Sequence, residues 1–251
     1  MKLVGHVSGG ELLRGLDAVK EVISLGIGVE LQLTAEVLET LTLKEFGAIK
    51  REVGNLPVTV HAPFMDLNPG ASDPYVLEAT RRRFAEALAA ATVLEAQVVV
   101  FHTGYHPKKV DPIFDSWFKR AVETFSEIAA AYPGRIALEN VFDPTPSVLA
   151  KLLLELPENV GVCLDTGHVN LFSTVPLKEW LSFGGRLFEF HVHDNDGLSD
   201  LHAPLGEGTF PFKEFIGEVK SFRHDYIFNL ENKSPRAVAR ALENLRRLEG
   251  V

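Results

Sequence analysis

The sequence predicts an α/β fold, a single (β/α)8 barrel that spans residues 1–251. Short β-branched or apolar runs alternate along the chain with segments of helical periodicity, which indicates a parallel sheet. Eight such runs are present, and a length of 251 residues is within the range of one such barrel. No GxGxxG pattern follows the first run, which disfavours a dinucleotide-binding fold and leaves an open α/β sheet as the alternative.

The predicted strands recur from the N-terminus to residue 231. They are LVGHV (3–7), GVELQL (28–33), VTVHA (58–62), VVVFH (98–102), RIALEN (135–140), VGVCLD (160–165), LFEFHVH (187–193) and YIFNLE (226–231). Helical periodicity is clearest in ELLRGLDAVKEVISLG, YVLEATRRRFAEALAAATVLEA, WFKRAVETFSEIAAAY and PRAVARALENLRRLEG. No linker or block of like charges interrupts the series, so we expect one domain.

Composition restricts the class of protein. The chain is 46% hydrophobic and 24% charged, with a mean hydropathy of +0.07, as expected of a water-soluble globular protein. No apolar run approaches the ~20 residues of a membrane span. The first residues, MKLVGHVS, lack the features of a signal peptide, so we expect a cytoplasmic protein without a membrane partner. The net charge of −9 disfavours a broad nucleic-acid surface and leaves a local one open.

Potential metal ligands and general acids or bases stand at the ends of seven of the eight predicted strands. They are His6, His61, His102, Glu139, Asp165 with His168, His191 with His193, and Glu231. Six of the nine histidines belong to this set. Taken singly, each residue has a plain structural explanation, such as a hydrogen-bonded rim histidine or a helix N-cap. Because the carboxyl ends of barrel strands meet at the rim that carries active sites, the set as a whole predicts a functional site.

The residue types indicate a divalent metal ion. Cys163 is the sole cysteine, which excludes an intramolecular disulfide and a thiolate-rich metal site. Imidazoles combined with carboxylates suit Zn²⁺, Mn²⁺ or Mg²⁺, and several histidines favour Zn²⁺ or Mn²⁺. The candidates are too many for one ion, so either two or three ions bind or some side chains hold substrate. A multi-ion cluster suits phosphoester hydrolysis, whereas one ion flanked by two carboxylates suits proton transfer next to a carbonyl.

Several strand-end motifs resemble those of the xylose isomerase-like barrel superfamily. They are HAPF (61–64), VVVFHTG (98–104), ALEN (137–140), VGVCLDTGH (160–168), FHVHDN (190–195), DLHAPLGEG (200–208) and NLEN (229–232). VGVCLDTGH and HAPLGEG are the specific ones, and the resemblance extends from GHVSGG at 5–10 to the last strand. The superfamily, also described as AP endonuclease family 2, includes endonuclease IV and sugar isomerases and epimerases.

The two branches imply different uses of the same residues. A likeness to endonuclease IV implies a three-zinc cluster held by His61, His102, Glu139, Asp165, His168, His191, Asp200, His202 and Glu231. A likeness to ketose 3-epimerases implies one Mn²⁺-type ion held by Glu139, Asp165, His191 and Glu231. In that branch the ion stabilises an enediolate, Glu139 and Glu231 also move the proton, and His168 contacts the substrate.

The loops favour the isomerase branch. The segments LQLTAEVLETLTLKEFG and APFMDLNPGASDP contain no arginine, whereas a nuclease needs basic side chains that grip DNA. The sequence therefore predicts a metal-dependent isomerase or epimerase acting on a small carbohydrate or sugar phosphate. The alternatives are a phosphoester hydrolase acting on abasic DNA or another phosphoester, and a non-catalytic metal- or sugar-binding barrel.

Five candidates are assigned to substrate binding, and His168 and His202 among them are also candidate metal ligands. The candidate substrate contacts are His6, Phe64, His168, His193 and His202. His193 is open between substrate contact and support of a metal ligand. Asp194 is the weaker candidate, because strand alternation places it on the other face.

Overall fold

Eight parallel strands close into a barrel in which each strand pairs with its neighbours in the sequence and the last pairs with the first. The computed structural model describes residues 1–250. The strands are β1 Lys2–Val7, β2 Gly28–Gln32, β3 Val58–His61, β4 Val98–His102, β5 Arg135–Glu139, β6 Val160–Asp165, β7 Leu187–Val192 and β8 Ile227–Leu230. This architecture confirms the predicted single (β/α)8 barrel.

All eight predicted strands are present, and their ends differ from the expected ones by at most one residue. They read as near-continuous apolar runs because helices cover the outside of the barrel and side chains fill its interior. In β4, for example, Val98, Val99, Val100 and Phe101 are all buried. The apolar runs of the sequence were therefore a sufficient signal for the sheet.

Eleven α-helices and one 3-10 helix lie within residues 1–250. The helices are α1 Gly9–Leu12, α2 Asp17–Ser24, α3 Ala35–Thr40, α4 Leu43–Val53, α5 Pro74–Val93, α6 Ile113–Ala131, α7 Ser147–Glu155, α8 Thr166–Phe172, α9 Leu177–Trp180, α10 Phe212–Val219 and α11 Pro235–Glu249, with the 3-10 helix at Leu181–Arg186. None of them combines the length and the apolar character that a membrane crossing requires.

The first segment of helical periodicity, residues 11–26, is divided between two helices. Gly15 separates α1 from α2 and adopts a φ of 121°, which glycine reaches without steric cost and other residues rarely adopt. Ser8 begins α1 with a capping box, in which its side chain and that of Glu11 each accept the other's backbone N–H. The amphipathic pattern continues across the break because both short helices pack on the barrel.

A small apolar cluster fills the interior of the barrel. Its members are Val4, Val98, Val100, Ala137, Cys163, Phe188 and Ile227. Side chains two residues apart on a strand share a face, so His102 lies on the same inner face as Val100 and Glu139 on that of Ala137. The strand-end residues therefore stand inside the barrel mouth, above an apolar floor.

Candidate metal centre at the barrel rim

Glu139, at the end of β5, is the centre of the cluster. Its side chain is buried, and four imidazoles surround its carboxylate. Oε2 lies 3.2 Å from Nε2 of His61, 3.3 Å from Nε2 of His102 and 3.5 Å from Nδ1 of His191, while Oε1 lies 3.3 Å from Nδ1 of His168. Three strands and the first turn of α8 thus direct imidazoles at one carboxylate.

Glu231 reaches the same cluster from the end of β8. Its Oε2 lies 3.4 Å from Nδ1 of His191 and 3.7 Å from Nε2 of His193. Oε2 of Glu231 and Nδ1 of His191 are buried, and neither has a hydrogen-bond partner among residues 1–250. Buried polar atoms are nearly always satisfied in proteins, so two unpartnered ligand-type atoms that face each other fit a cation between them.

Imidazole nitrogens and carboxylate oxygens converge in sets of three. The ligand atoms lie within 4.8 Å of one another in His61, His191 and Glu231, in His61, His102 and Glu139, and in His193, Asp200 and His202. Ligand atoms of one Zn²⁺ lie about 2.0–2.2 Å from the ion and therefore about 3–4 Å apart, so a modest contraction of each set suits an ion.

Asp200 and His202 lie on the long connection between β7 and α10, which turns back over the rim. Nε2 of His202 is 3.0 Å from Oδ2 of Asp200. The same oxygen lies 3.7 Å from Nε2 of His168, and Oδ1 lies 3.8 Å from Nδ1 of His193. The side chain of Asp200 is 39% exposed, so this set is nearer to solvent than the one around Glu139.

Asp194 anchors this connection and is not directed at the ligands. Its Oδ2 accepts the backbone N–H groups of Gly206 and Gly208 at 3.0 and 2.8 Å, and Oδ1 accepts that of Phe210 at 3.1 Å. A two-residue β-bridge to Ala203 adds backbone hydrogen bonds of 2.8 and 2.9 Å. Asp194 therefore shapes the segment that carries Asp200.

Both carboxylate oxygens of Asp165, at the end of β6, are engaged. Oδ1 accepts the backbone N–H of His168 at 2.7 Å and so caps α8, while Oδ2 lies 3.0 Å from Nε2 of His193. The ring of His193 fits here because residue 167 is glycine. A Cβ on Gly167 would lie 2.0 Å from Cε1 of His193. His193 is thus a direct partner of Asp165.

Glu30, which is absent from the predicted site, lies directly behind the ligands. Its buried carboxylate is 3.0 Å from Nε2 of His191 through Oε2. Through Oε1 it is 2.8 Å from Nδ1 of His6 and 2.6 Å from Nδ2 of Asn229. The sequence did contain a signal for this residue, because a carboxylate lies within the mostly apolar run GVELQL. The residue was missed because it precedes the end of β2 by two positions.

Glu189 is a second buried carboxyl of the barrel interior. Its Oε1 accepts a hydrogen bond of 3.0 Å from Oγ1 of Thr59. Burial and the neighbouring negative charge of Glu30 raise the pKa of Glu189 well above its usual range. Burial and the Glu30 charge therefore favour the neutral form of Glu189. At Glu30, in contrast, the effect of burial is outweighed by His191 and His6, which lower the pKa of the carboxyl.

Phe64 forms an apolar wall beside the cluster. Its ring stacks on His102 with centroids 4.2 Å apart and an interplanar angle of 22°, and it meets His61 edge-on at 5.2 Å. The side chain follows β3 and is only partly buried, so one part of it is open to the barrel mouth. The predicted substrate contact therefore lies at the entrance to the site.

The cluster carries a strong negative field. Burial opposes ionisation of Glu139, yet its interactions with the neighbouring imidazoles of His102 and His191 hold its pKa well below the usual range. Burial likewise opposes the protonation of His202, but its hydrogen bond to Asp200 raises the pKa of the imidazole to about 9. Carboxylates that draw protons onto buried imidazoles would also attract a divalent cation.

Comparison with known proteins agrees with the fold and the motifs. A family model described as a xylose isomerase-like TIM barrel matches residues 20–248. Protein MJ1311 of Methanocaldococcus jannaschii, which is named as uncharacterized, is 32% identical over 209 residues, covering 78% of this chain and 71% of the relative.

Several solved structures cover the whole chain, and two of them are more than 25% identical to it. A D-tagatose 3-epimerase-like protein has a TM-score of 0.82 at 27% identity and is covered over 97% of its length. The TTHB071 protein from Thermus thermophilus, soaked with ZnCl2, has a TM-score of 0.85 at 26% identity and is covered over 98% of its length. Each of these two structures aligns with 100% of this chain. Since the family match extends from α2 to α11, the chain belongs to the xylose isomerase-like TIM barrel family.

Proposed function

We propose that this protein is a divalent-metal-dependent isomerase or epimerase acting on a small carbohydrate or sugar phosphate. The observation that carries the proposal is the approach of two carboxylates to one imidazole nitrogen. Oε2 of Glu139 and Oε2 of Glu231 lie 3.5 and 3.4 Å from Nδ1 of His191. These carboxylates come from β5 and from the end of β8, which are three strands apart in the closed sheet. Such a pair supports proton transfer on two sides of a bound carbon atom.

The metal site of this proposal uses four residues. They are Glu139, Asp165, His191 and Glu231. A Zn²⁺ or Mn²⁺ ion bound there would polarise the carbonyl and hydroxyl oxygens of the substrate and stabilise the negative charge of an enediolate. The unpartnered Nδ1 of His191 and Oε2 of Glu231 support this assignment, because both are ligand atoms buried without another partner among residues 1–250.

Glu139 and Glu231 are the proposed acid–base pair. One carboxylate removes the proton from the carbon next to the carbonyl, and the electrons of that C–H bond pass into the enediolate. A proton returned by the other carboxylate to the opposite face inverts the carbon, which is epimerisation. A proton returned to the former carbonyl carbon, together with transfer of the neighbouring hydroxyl proton to the former carbonyl oxygen, moves the carbonyl, which is isomerisation. The lowered pKa of Glu139, which His102 and His191 maintain against burial, supports an ionised carboxylate at neutral pH.

The proposed substrate contacts surround this pair. They are His6, Phe64, His168, His193 and His202. Phe64 offers an apolar face to the C–H side of a sugar, and the imidazoles offer hydrogen-bond donors and acceptors to its hydroxyl groups. The likeness to a D-tagatose 3-epimerase-like protein supports a sugar substrate, and a phosphorylated sugar is the related possibility.

The test is proton exchange on a panel of ketoses and ketose phosphates. The protein loaded with Mn²⁺ or Zn²⁺ would be incubated in D2O, and NMR would follow deuterium incorporation next to the carbonyl. We expect incorporation together with a new epimer or isomer, and loss of both after chelation. Glu139→Gln and Glu231→Gln should each lower the rate about 10²–10⁴-fold, whereas the exposed control Glu158→Gln should not. The absence of deuterium from every sugar would refute the proposal.

A second function is supported by the surplus of ligands. His61, His102, Asp200 and His202 lie outside the four-residue set, yet they belong to groups with ligand spacing. Two or three ions held by these groups would suit phosphoester hydrolysis, in which the cluster activates water. The net charge of −9 counts against a DNA substrate, so a small phosphoester is the better candidate within this class.

Elemental analysis of the unchelated protein separates the two functions. One ion per chain and no cleavage of an abasic oligonucleotide or of bis-p-nitrophenyl phosphate would support the isomerase. Three zinc ions per chain with cleavage of either substrate would support the hydrolase instead of the isomerase. Metal or sugar binding without turnover in any of these assays would support the non-catalytic barrel.

A further inference from the structure

Glu30 joins two histidines of the site through one carboxylate. It lies on β2 with no exposed surface, and it contacts His191 on β7 and His6 on β1. Asn229 on β8 provides a third contact through its side-chain amide. The carboxylate thus links three strands besides its own, in the layer of the barrel immediately beneath the ring of candidate ligands.

These contacts determine which nitrogen of His191 carries a proton. An ionised carboxylate only accepts hydrogen bonds, so Nε2 of His191, 3.0 Å from Oε2 of Glu30, must be the donor. The other nitrogen, Nδ1, is left to face Glu139 and Glu231 at 3.5 and 3.4 Å. In a neutral imidazole this nitrogen has a lone pair, which two carboxylates would repel unless a proton or a metal cation lies between them, and a metal ion bound there would replace that proton. Nδ1 has no hydrogen-bond partner among residues 1–250.

We propose that Glu30 is a positioning residue that holds His191 with its proton on Nε2 and its lone pair on Nδ1, so that Nδ1 is the metal-binding atom. This inference rests on the metal site of the proposed function and is independent of the substrate. A carboxylate behind a metal-binding imidazole orients the ring and makes it a stronger donor. Glu30 has this relation to His191 in the structure.

The same carboxylate orients His6. Nδ1 of His6 donates to Oε1 of Glu30 at 2.8 Å, so the unprotonated nitrogen of a neutral His6 is Nε2. His6 is nearly buried, and its ligand atom belongs to a set with Glu30 and Glu231 within 4.8 Å. Glu30 therefore determines the tautomers of a metal ligand and of a candidate substrate contact together.

Direct metal binding by Glu30 is the competing assignment, since Glu30, Glu189 and His191 also form a set within 4.8 Å. Glu30 already accepts three hydrogen bonds, from His191, His6 and Asn229. An ion held by Glu30 and His191 together would replace the proton between Oε2 and Nε2, and Nε2 of His191 would then become the metal-binding atom. The two assignments therefore differ in which nitrogen of His191 is protonated in the metal-loaded protein.

Nitrogen-15 NMR of the histidine rings in the zinc-loaded wild-type protein shows directly which nitrogen of His191 is protonated and which binds zinc. We expect a protonated Nε2 and a zinc-shifted Nδ1 for His191. Zinc on Nε2 would overturn the proposal. This readout needs no variant, so it does not depend on whether a substitution at a buried position folds.

Calorimetric titration with Zn²⁺ and Mn²⁺ provides the second readout. Glu30→Gln keeps the size and an acceptor oxygen but removes the charge, and it should raise the dissociation constant about 10–100-fold. Glu189→Gln is the matched variant, a second buried carboxyl that bonds to Thr59. The proposal requires it to leave the constant unchanged, whereas an equal loss of affinity would overturn the proposal in favour of the competing set of Glu30, Glu189 and His191. Equal affinities of Glu30→Gln and the wild type would refute the inference.

The outcomes also separate this inference from the proposed function. If His191 binds zinc through Nδ1 and Glu30→Gln weakens binding, but no sugar exchanges deuterium, the inference holds and the isomerase proposal fails. If sugars react while Glu30→Gln binds metal with the affinity of the wild type, the isomerase proposal holds and the inference about Glu30 fails. A wild-type protein that binds neither ion would overturn the role of Glu30 together with the metal requirement.

Discussion

The imidazole rings of His193 and His202 stack with their centroids 4.0 Å apart and their planes 8° from parallel. His193 directly follows β7, whereas His202 lies on the returning connection, with a φ of 53°. Nε2 of His193 also lies 3.0 Å from Oδ2 of Asp165. The stack therefore joins the barrel wall to the segment that carries Asp200, and the predicted role of His193 as support for a ligand is the better match to this geometry.

Replacing His193 should weaken metal binding, because His193 supports Asp165 of the proposed four-residue site as well as the set with Asp200 and His202. His193→Asn removes both the ring stack and the contact with Asp165, so Asp200 and His202 would lose their support. We expect about 10–100-fold weaker binding of any ion held there. Calorimetry with Zn²⁺ measures this effect. His224→Asn is the control, because His224 bonds only to the backbone oxygen of Leu187 at the other end of β7. Unchanged zinc binding by His193→Asn would contradict the assignment.

Removing the Asp194 carboxylate should loosen the whole β7–α10 connection. Asp194→Ala leaves the backbone N–H groups of Gly206, Gly208 and Phe210 without their acceptor. Hydrogen bonds to a charged group contribute about 1.5–3 kcal/mol each and are not additive, so we expect a loss of about 3 kcal/mol in the free energy of unfolding. Urea unfolding and limited proteolysis would measure it. Asp196 in the same connection accepts the backbone N–H groups of Leu198 and Ser199 but is exposed, so water replaces the lost acceptor and Asp196→Ala should cost less than about 1 kcal/mol.

Replacement of His61 distinguishes a one-ion site from a larger cluster. Nδ1 of His61 lies 2.9 Å from the backbone oxygen of Ala62, so it carries the proton and leaves Nε2 free as a ligand atom 3.2 Å from Glu139. For the proposed isomerase, His61→Ala should lower activity about 10–100-fold and leave the metal content unchanged. Loss of one ion per chain with a complete loss of activity would indicate the multi-ion hydrolase. Elemental analysis beside the rate assay is the measurement.

Asp143, in the connection after β5, should make stability depend on pH. Burial raises the pKa of this carboxyl to about 7, and its Oδ1 has no hydrogen-bond partner among residues 1–250. The folded state therefore holds a proton that the unfolded state releases above about pH 4, so stability decreases as the pH rises from there to about 7. Asp143→Asn removes this titration.

Urea unfolding near pH 5 and near pH 8 tests the prediction. Relative to Asp143→Asn, the wild type should lose roughly 2–3 kcal/mol between the two conditions, as linkage requires for this shift in pKa. Asp196→Asn is the control, because Asp196 is exposed and hydrogen bonds from the backbone of Leu198 and Ser199 lower its pKa, so it is ionised throughout this range. A constant difference between wild type and Asp143→Asn would contradict a neutral Asp143.

The strands, and the position of most candidate ligands at the rim, could be predicted from the sequence. A buried parallel strand needs a short apolar run, and the residue that ends the run faces the barrel mouth, so Glu139, His102 and Asp165 could be located from local pattern. The division of residues 11–26 into two helices was not accessible in this way. Both helices continue one amphipathic pattern, and the break depends on the backbone conformation of Gly15.

Long-range contacts account for the functional residues that the sequence did not identify. Glu30 acts on His191 across 161 positions of the chain, and only closure of the barrel brings β2 opposite β7. Asp194 was expected to be a weaker candidate than His193, and its role in shaping the following connection depends on where Gly206 and Gly208 return. Neither role has a local signature.

By itself, the sequence determined the (β/α)8 barrel, its family and a rim rich in imidazoles and carboxylates, because apolar periodicity and strand-end chemistry are local properties. The tertiary structure alone decided that Nδ1 of His191 faces Glu139 and Glu231, that Glu30 supports the ring from behind, and that His193 links Asp165 to His202. These are relations among atoms on different strands. They exist only when the closed sheet places residues that are distant in the chain within a few ångströms of one another.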